Sequence, residues 1–282
     1  MRFFERLSNG WRLGKISLLT IRENPSLIVF PFISGISLIL VTLSFFGSGY
    51  LAFGEEILAI ADDEIAANSL DAILYVMVFL FYLLNYFIIV FFNVGLVHCA
   101  RRILEGHETT VREGINYATT RVGSILSWAI LAATVGMILK AIQENSGTFG
   151  QIISGIIGMV WGIATFFVVP IIAYEDVNPI EAVKRSGQIM KDKWGESIGA
   201  NFSFGLFSLL GTLLVALPAG FLIGAIIHPV AGVVTGVMIF ILIQMSVSAA
   251  NMVFLAAAYQ HVNDQPTGYF ESDILDDVFV RK

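Results

Sequence analysis

The chain has 282 residues, of which 56% are hydrophobic and only 13% charged, and its formal net charge is −6. Soluble domains carry about 25% charged residues, and 16 basic plus 22 acidic side chains cannot coat a water-facing surface of this size. That balance excludes a soluble enzyme, a disordered chain and a collagen. A single Cys excludes an intrachain disulfide scaffold, and the composition is that of an integral membrane protein.

The first 22 residues repeat with a helical period. Phe3, Phe4, Leu7, Trp11, Leu18 and Ile21 share one face with Gly14 among them, while Arg2, Glu5, Arg6, Asn9 and Arg12 take the other and Lys15 borders it. Aromatic residues opposite basic ones describe a helix lying in the lipid headgroup layer. Arg2, Arg6, Arg12 and Lys15 are therefore the candidate contacts to anionic headgroups. No small-residue cleavage site follows a short apolar run, so the segment is not expected to be a signal peptide. Asn24-Pro25 then supplies an N-cap and a first-turn Pro for the span that follows.

Six stretches meet the requirement of about 20 apolar residues per membrane crossing: residues 26–51, 72–97, 123–139, 151–174, 198–227 and 230–259, none containing Asp, Glu, Lys or Arg. Pro218 predicts a kink in the fifth, and His228-Pro229 predicts a tight hairpin between the fifth and sixth. Fifteen of the 16 Lys and Arg residues fall on one side, leaving Lys140 on the other with Glu55, Glu56, Asp62, Asp63, Glu64, Asp71 and Glu144. The positive-inside rule then places both termini in the cytoplasm. The expected fold is an all-α polytopic transmembrane helical bundle of six spans with cytoplasmic interfacial amphipathic helices. Its organisation is an interfacial helix over 1–25, a transmembrane domain over 26–259 and an acidic-hydrophobic cytoplasmic tail over 260–282.

Two further interfacial helices are signalled by their caps. Thr110-Val111-Arg112-Glu113 is a capping box, and Asn178-Pro179-Ile180-Glu181 is its analogue. The second of these predicts Ile180, Val183, Gly187, Met190 and Trp194 on one face. Asn93 precedes Ala100 as Asn251 precedes Ala258, and a polar exit follows each. Together these describe three weakly similar units, each an interfacial helix with a pair of spans.

The run from Phe3 to Trp11, with Ile21-Arg22-Glu23-Asn24-Pro25 and Phe30-Pro31, resembles the opening of an uncharacterised family of prokaryotic six-span membrane proteins. The stretch from Val169-Pro170 through Glu175 to Glu181-Ala182-Val183-Lys184-Arg185-Ser186 is similar to a wider group. That group includes the membrane domain of glycerophosphoryl diester phosphodiesterases. The resemblance implies architecture and location, and it brings no catalytic residues.

Motifs that would carry chemistry are poorly matched. Gly10 to Ile16 is one residue short of a phosphate-binding loop and has Ile16 where Ser or Thr must reach Mg²⁺. The histidines are scattered without metal-ligand spacing, no serine sits in a nucleophile elbow, and Asp62-Asp63-Glu64 reads as a solvated acidic loop. Cys99, at a span end, is a site for acylation or a small interfacial filler. Ion-coupled carriers and proton relays place ionisable groups at membrane depth, and the spans hold none. Their polar residues are the amides Asn85, Asn93, Asn201, Gln244 and Asn251 with scattered hydroxyls. These either pair across helices or line a path for a small solute or lipid. Gly158-x-x-x-Gly162, Gly220-x-x-x-Gly224 and Gly232-x-x-x-Gly236 mark close helix packing.

In the tail, Tyr269, Phe270, Ile274, Leu275 and Phe279 alternate with acidic residues. This describes either a docking motif for a protein partner or a turn folded back on the basic face. The expected function is non-enzymatic: a scaffold or a partner- and lipid-binding subunit of the cytoplasmic membrane. An uncoupled channel or a lipid- or solute-translocating protein is the alternative. No cofactor, metal or nucleic acid is expected; membrane lipids, with a protein partner or a second copy, are.

Overall fold

The computed structural model describes residues 3–59, 64–145, 147–193, 199–265, 267 and 270, and no strand occurs among them. Helix α1 (Phe3–Glu23) precedes a 3₁₀ turn at Pro25–Ile28 and the long pair α2 (Val29–Ala59) and α3 (Glu64–Leu104). The short α4 (Val111–Thr120) leads into α5 (Val122–Asn145) and α6 (Gly147–Ala164). Then come α7 (Val168–Tyr174), α8 (Pro179–Lys193), α9 (Gly199–Gly211), α10 (Leu217–Ile226) and α11 (Pro229–Val262). Among the described residues, six segments are long and apolar enough to cross a membrane: Pro25–Gly47, Tyr75–Leu104, Val122–Gln143, Gly150–Tyr174, Phe204–Ile226 and Pro229–Val262. The protein is a polytopic helical bundle.

The local signals act much as their chemistry requires. Thr110 caps α4 by accepting the Glu113 N–H at 3.2 Å, and Asn178 caps α8 by accepting the Glu181 N–H at 2.9 Å. The kink expected at Pro218 takes the form of a π-helical segment over Thr212–Ala216, where the Leu217 N–H bonds the Thr212 carbonyl. Pro218 has no N–H and its ring crowds the preceding turn, so the ladder widens one turn earlier. His228 closes the following hairpin, accepting the Val230 N–H on Nδ1 at 3.2 Å. Two exits share one geometry: Gly106 and Asp264 both have positive φ, 82° and 54°, each thirteen residues after its Asn, Asn93 and Asn251.

Three expectations are corrected. Asn24 does not cap the first span; its Nδ2 donates backwards to the Thr20 carbonyl at 3.0 Å. The acidic connection after the first span is helical on both sides, because α2 runs on to Ala59 and α3 begins at Glu64, while Asp62 and Asp63 lie outside the described residues. The buried stripes of α1 and α8 coincide with the apolar period only in part. On α1 the buried residues are Leu13, Gly14, Ser17, Thr20 and Ile21, packed against α9 and α11, and Trp11, though 39% exposed, stacks on Phe207 of α9 with ring centroids 3.9 Å apart. On α8 they are Ala182, Ser186 and Met190, while Ile180 is exposed; Trp194 lies outside the described residues. Lipid tails solvate large apolar side chains as well as a protein core does, so close packing selects small residues instead.

Glycines set the tightest crossings. A Cβ on Gly114 of α4 would lie 2.7 Å from the Gly95 carbonyl oxygen of α3. One on Gly232 of α11 would lie 2.4 Å from both the Gly220 oxygen and the Gly224 Cα of α10. The two C-terminal small-residue motifs thus pack on each other, whereas Cβ atoms on Gly158 and Gly162 would meet nothing within 4 Å. The core gathers at the basic end of the bundle, where Val94, Val97, Ile171, Ile172, Val253 and Phe254 are buried.

Candidate functional site

At that basic end, side chains from five segments meet in a layer of ion pairs and stacked rings. The last turns of α3 present His98, Arg101 and Arg102, with Glu105 directly after the helix. Helix α4 adds Glu113 and Tyr117, and α7 ends on Tyr174 followed by Glu175. Arg185 comes from α8, and Tyr259 with Gln260 from the end of α11.

Three carboxylates organise the layer. Glu175 accepts a hydrogen bond from the Tyr259 hydroxyl, and its other oxygen lies 2.8 Å from Arg185 Nε. Glu105 accepts from Arg101 Nε at 2.7 Å and faces the buried Gln260 Nε2 at 3.5 Å. Glu113 accepts from the Thr109 hydroxyl at 3.2 Å and stands 3.4 Å from Arg102 Nε and 3.7 Å from His98 Nε2. This is why the capping box is formed by halves: Thr110 caps Glu113, but the Glu113 carboxylate turns to the basic pair.

The rings form a row between these charges, two stacked pairs joined by the tilted contact of Tyr117 with Tyr174. His98 lies flat on Tyr117, centroids 3.8 Å apart and planes 9° apart. Tyr174 lies 6.2 Å from Tyr117 and 6.0 Å from Tyr259, with the Arg101 guanidinium 4.5 Å from its ring centre, within cation–π range. The hydroxyls stitch remote segments: Tyr117 donates to the Ala173 carbonyl, and Tyr174 to the Val97 carbonyl at 3.0 Å. A buried tyrosine hydroxyl or carboxylate needs such partners. The arrangement joins the interfacial helices α4 and α8 to the ends of α3, α7 and α11.

The residues singled out from sequence are placed as follows. Arg12 and Lys15 are exposed on α1; Arg2 and the side chain of Arg6 lie outside the described part. Of the amides, Asn93 and Gln244 line one crevice. Gln244 also pairs with Ser208 of α9, at 2.7 and 3.0 Å, while Asn85 donates to its own helix at the Phe81 carbonyl. Asn251 Oδ1 is buried without a hydrogen-bond partner, and the Asn201 side chain lies outside the described residues. Phe270 is 2% exposed and belongs to the chain's own core; Tyr269, Ile274, Leu275 and Phe279 lie outside the described residues. Cys99 is buried, its thiol between Thr109 and Thr110. No group of three or more His, Cys, Asp or Glu among the described residues could hold a metal ion.

The tyrosine row and the roles of Glu105, Glu175 and Arg185 were not read from the sequence. Its only signal there is positional: Tyr174 and Tyr259 each close a span at the basic end, where amphipathic rings settle in membranes.

A model of the family of unknown function DUF6159 matches residues 72–269. The matched region begins after α1 and the first span, so the Phe3–Trp11 motif lies outside it. No curated protein and no solved structure matches the chain, and the similarity to phosphodiesterase membrane domains finds no support there.

Proposed function

The chain belongs to this family, and from that premise we propose that it is a non-enzymatic subunit of the cytoplasmic membrane, a scaffold presenting a rigid basic platform to anionic lipid headgroups and to a protein partner. The observation that carries this reading is the ion-pair and tyrosine layer. It fixes α4 and α8 against three span ends, while Arg12, Lys15, Arg112, Lys184 and Lys191 stay exposed on α1, α4 and α8. A preorganised surface binds without the cost of ordering itself first, and clustered Lys and Arg next to spans attract anionic lipids at about 1 kcal/mol per charge. The inward bias of Lys and Arg supports a cytoplasmic position for this surface and for both termini. A distant kinship with phosphodiesterase membrane domains would add architecture to this reading and no reaction.

Purification with native lipid tests it. The expected product carries phosphatidylglycerol or cardiolipin and a stoichiometric protein partner. Arg12→Glu with Lys15→Glu should lower retention on anionic vesicles. Recovery of the chain with lipid alone, whether or not residues 269–279 are present, would rule out the partner.

The crevice holding Asn93 and Gln244 favours a second reading, passage of a lipid or small solute. Flux through proteoliposomes that is absent, or unchanged by Asn93→Leu and Asn251→Leu, would remove it.

A further inference from the structure

Among α2, α3 and α11 lies a crevice of about 390 Å³ whose walls include Ser34, Gly35, Asn93, Gln244, Met245 and Ser248. Its mouth is apolar and opens sideways: Ile89, Phe240 and Ile241 beside it are 38%, 42% and 43% exposed on the bundle surface. Asn93 stands eight residues before Arg101 on α3, and Ser248 eleven before Tyr259 on α11. At 1.5 Å per residue the polar wall is about 12–16 Å inward from the charged layer, below the level of phosphate headgroups.

The Gln244 amide is held by Ser208. The side chains of Ser34, Asn93 and Ser248, by contrast, find no hydrogen-bond partner among the described residues, and Ser34 is only 9% exposed. Polar groups at membrane depth are strongly driven to acquire partners, and acyl tails offer none. A charged headgroup does not suit the site, because no Asp, Glu, Lys or Arg lines it and a buried ion needs a counter-charge. The volume lies within the range of small-ligand sites, which pair an apolar lining with a few placed polar groups.

We propose that this crevice binds an uncharged membrane amphiphile, admitted laterally from the bilayer, whose head carries hydroxyl or carbonyl oxygens that bond Asn93, Ser34 and Ser248. Diacylglycerols and isoprenoid quinones share that chemistry. The proposal stands independently of the basic platform.

The test uses the full chain in nanodiscs, titrated separately with 1,2-dioleoylglycerol and with decylubiquinone and read by native mass spectrometry. Dioleoylphosphatidylglycerol is the charged competitor. Saturable binding of one molecule per chain is expected in one arm, and that arm identifies the source. Gly35→Leu should weaken it at least tenfold by filling the crevice. A Cβ there meets only the flexible end of Met245, at 3.7 Å, so the added side chain starts without a backbone clash. Asn93→Leu should weaken binding similarly, and should it fail to fold, Ser34→Ala and Gly35→Leu decide. No saturable binding in either arm, equal competition by the charged lipid, or full affinity in a folded Gly35→Leu protein would each overturn the proposal.

Discussion

Glu175 shows how much one carboxylate can hold at the edge of a bilayer. It takes the Tyr259 hydroxyl on one oxygen and the Arg185 guanidinium beside the other, joining α11 to α8 through a residue that belongs to neither. Glu175→Ala leaves the buried Tyr259 hydroxyl without its acceptor, at about 1–3 kcal/mol for an unmet buried polar group, while the half-exposed Arg185 guanidinium turns to solvent. Tyr259→Phe removes one hydrogen bond, worth about 1 kcal/mol. Thermal unfolding in detergent should therefore rank wild type above Tyr259→Phe and Tyr259→Phe above Glu175→Ala. Cys99 gives a residue-scale prediction of another kind. With its thiol sealed between Thr109 and Thr110, maleimide should label the native protein far more slowly than the denatured one. Labelling at equal rates would mean that the α3–α4 contact opens readily.

At the scale of elements, the place of each crossing was more legible than the ends of its helix or the face it buries. The six crossings follow from uncharged apolar runs, and the caps at Thr110 and Asn178 follow from short-range backbone chemistry that the surroundings cannot easily override. The inward faces of α1 and α8 obey a different rule. There Ser17, Thr20 and Ser186 face protein while Trp11 and Ile180 are more exposed. Ser17 and Thr20 return their hydroxyls to the carbonyls of Leu13 and Ile16, which makes them small, quiet packing residues. Ser186 goes further, accepting the Phe167 N–H at 2.9 Å where α6 breaks before α7. The hydrophobic period therefore marks the inward side only in part: Gly14 and Ile21 of α1 and Met190 of α8 do face protein, and Trp11 stacks on Phe207 of α9.

The same rule predicts opposite outcomes for glycines of similar sequence context. Gly232→Ala drives a methyl into the backbone of α10 and should cost about 1–3 kcal/mol, the range for overpacking. Gly158→Ala enters open space and should leave the unfolding midpoint unchanged or slightly raised, since Ala favours helix by about 1 kcal/mol. Circular dichroism melts of the two variants separate these effects. The tyrosine row was illegible for a related reason. Tyr117, Tyr174 and Tyr259 are far apart in sequence, each reads as an ordinary interfacial ring, and only the meeting of α4, α7 and α11 brings them together.

For the whole molecule, charge is the coarsest and most informative coordinate. Segregation of 15 of 16 basic residues from the acidic connection predicts that reporter fusions after Lys282 are active only on the cytoplasmic side. A reporter inserted at Ser146, beside Lys140, should be active only on the opposite side. The reverse pattern would invert the platform and remove its access to cytoplasmic partners.

The crossings also differ in length. Val122–Gln143 has 22 residues and Pro229–Val262 has 34, about 33 and 51 Å at helical rise, against a hydrocarbon core of about 30 Å. The shorter helix fits nearly upright, whereas the longer one must lean or project. Bilayer thickness therefore acts on this protein as a mechanical variable. Thinning presses on α11 first, and because Tyr259 sits in the last turn of that helix, a change of tilt is delivered directly to its hydrogen bond with Glu175.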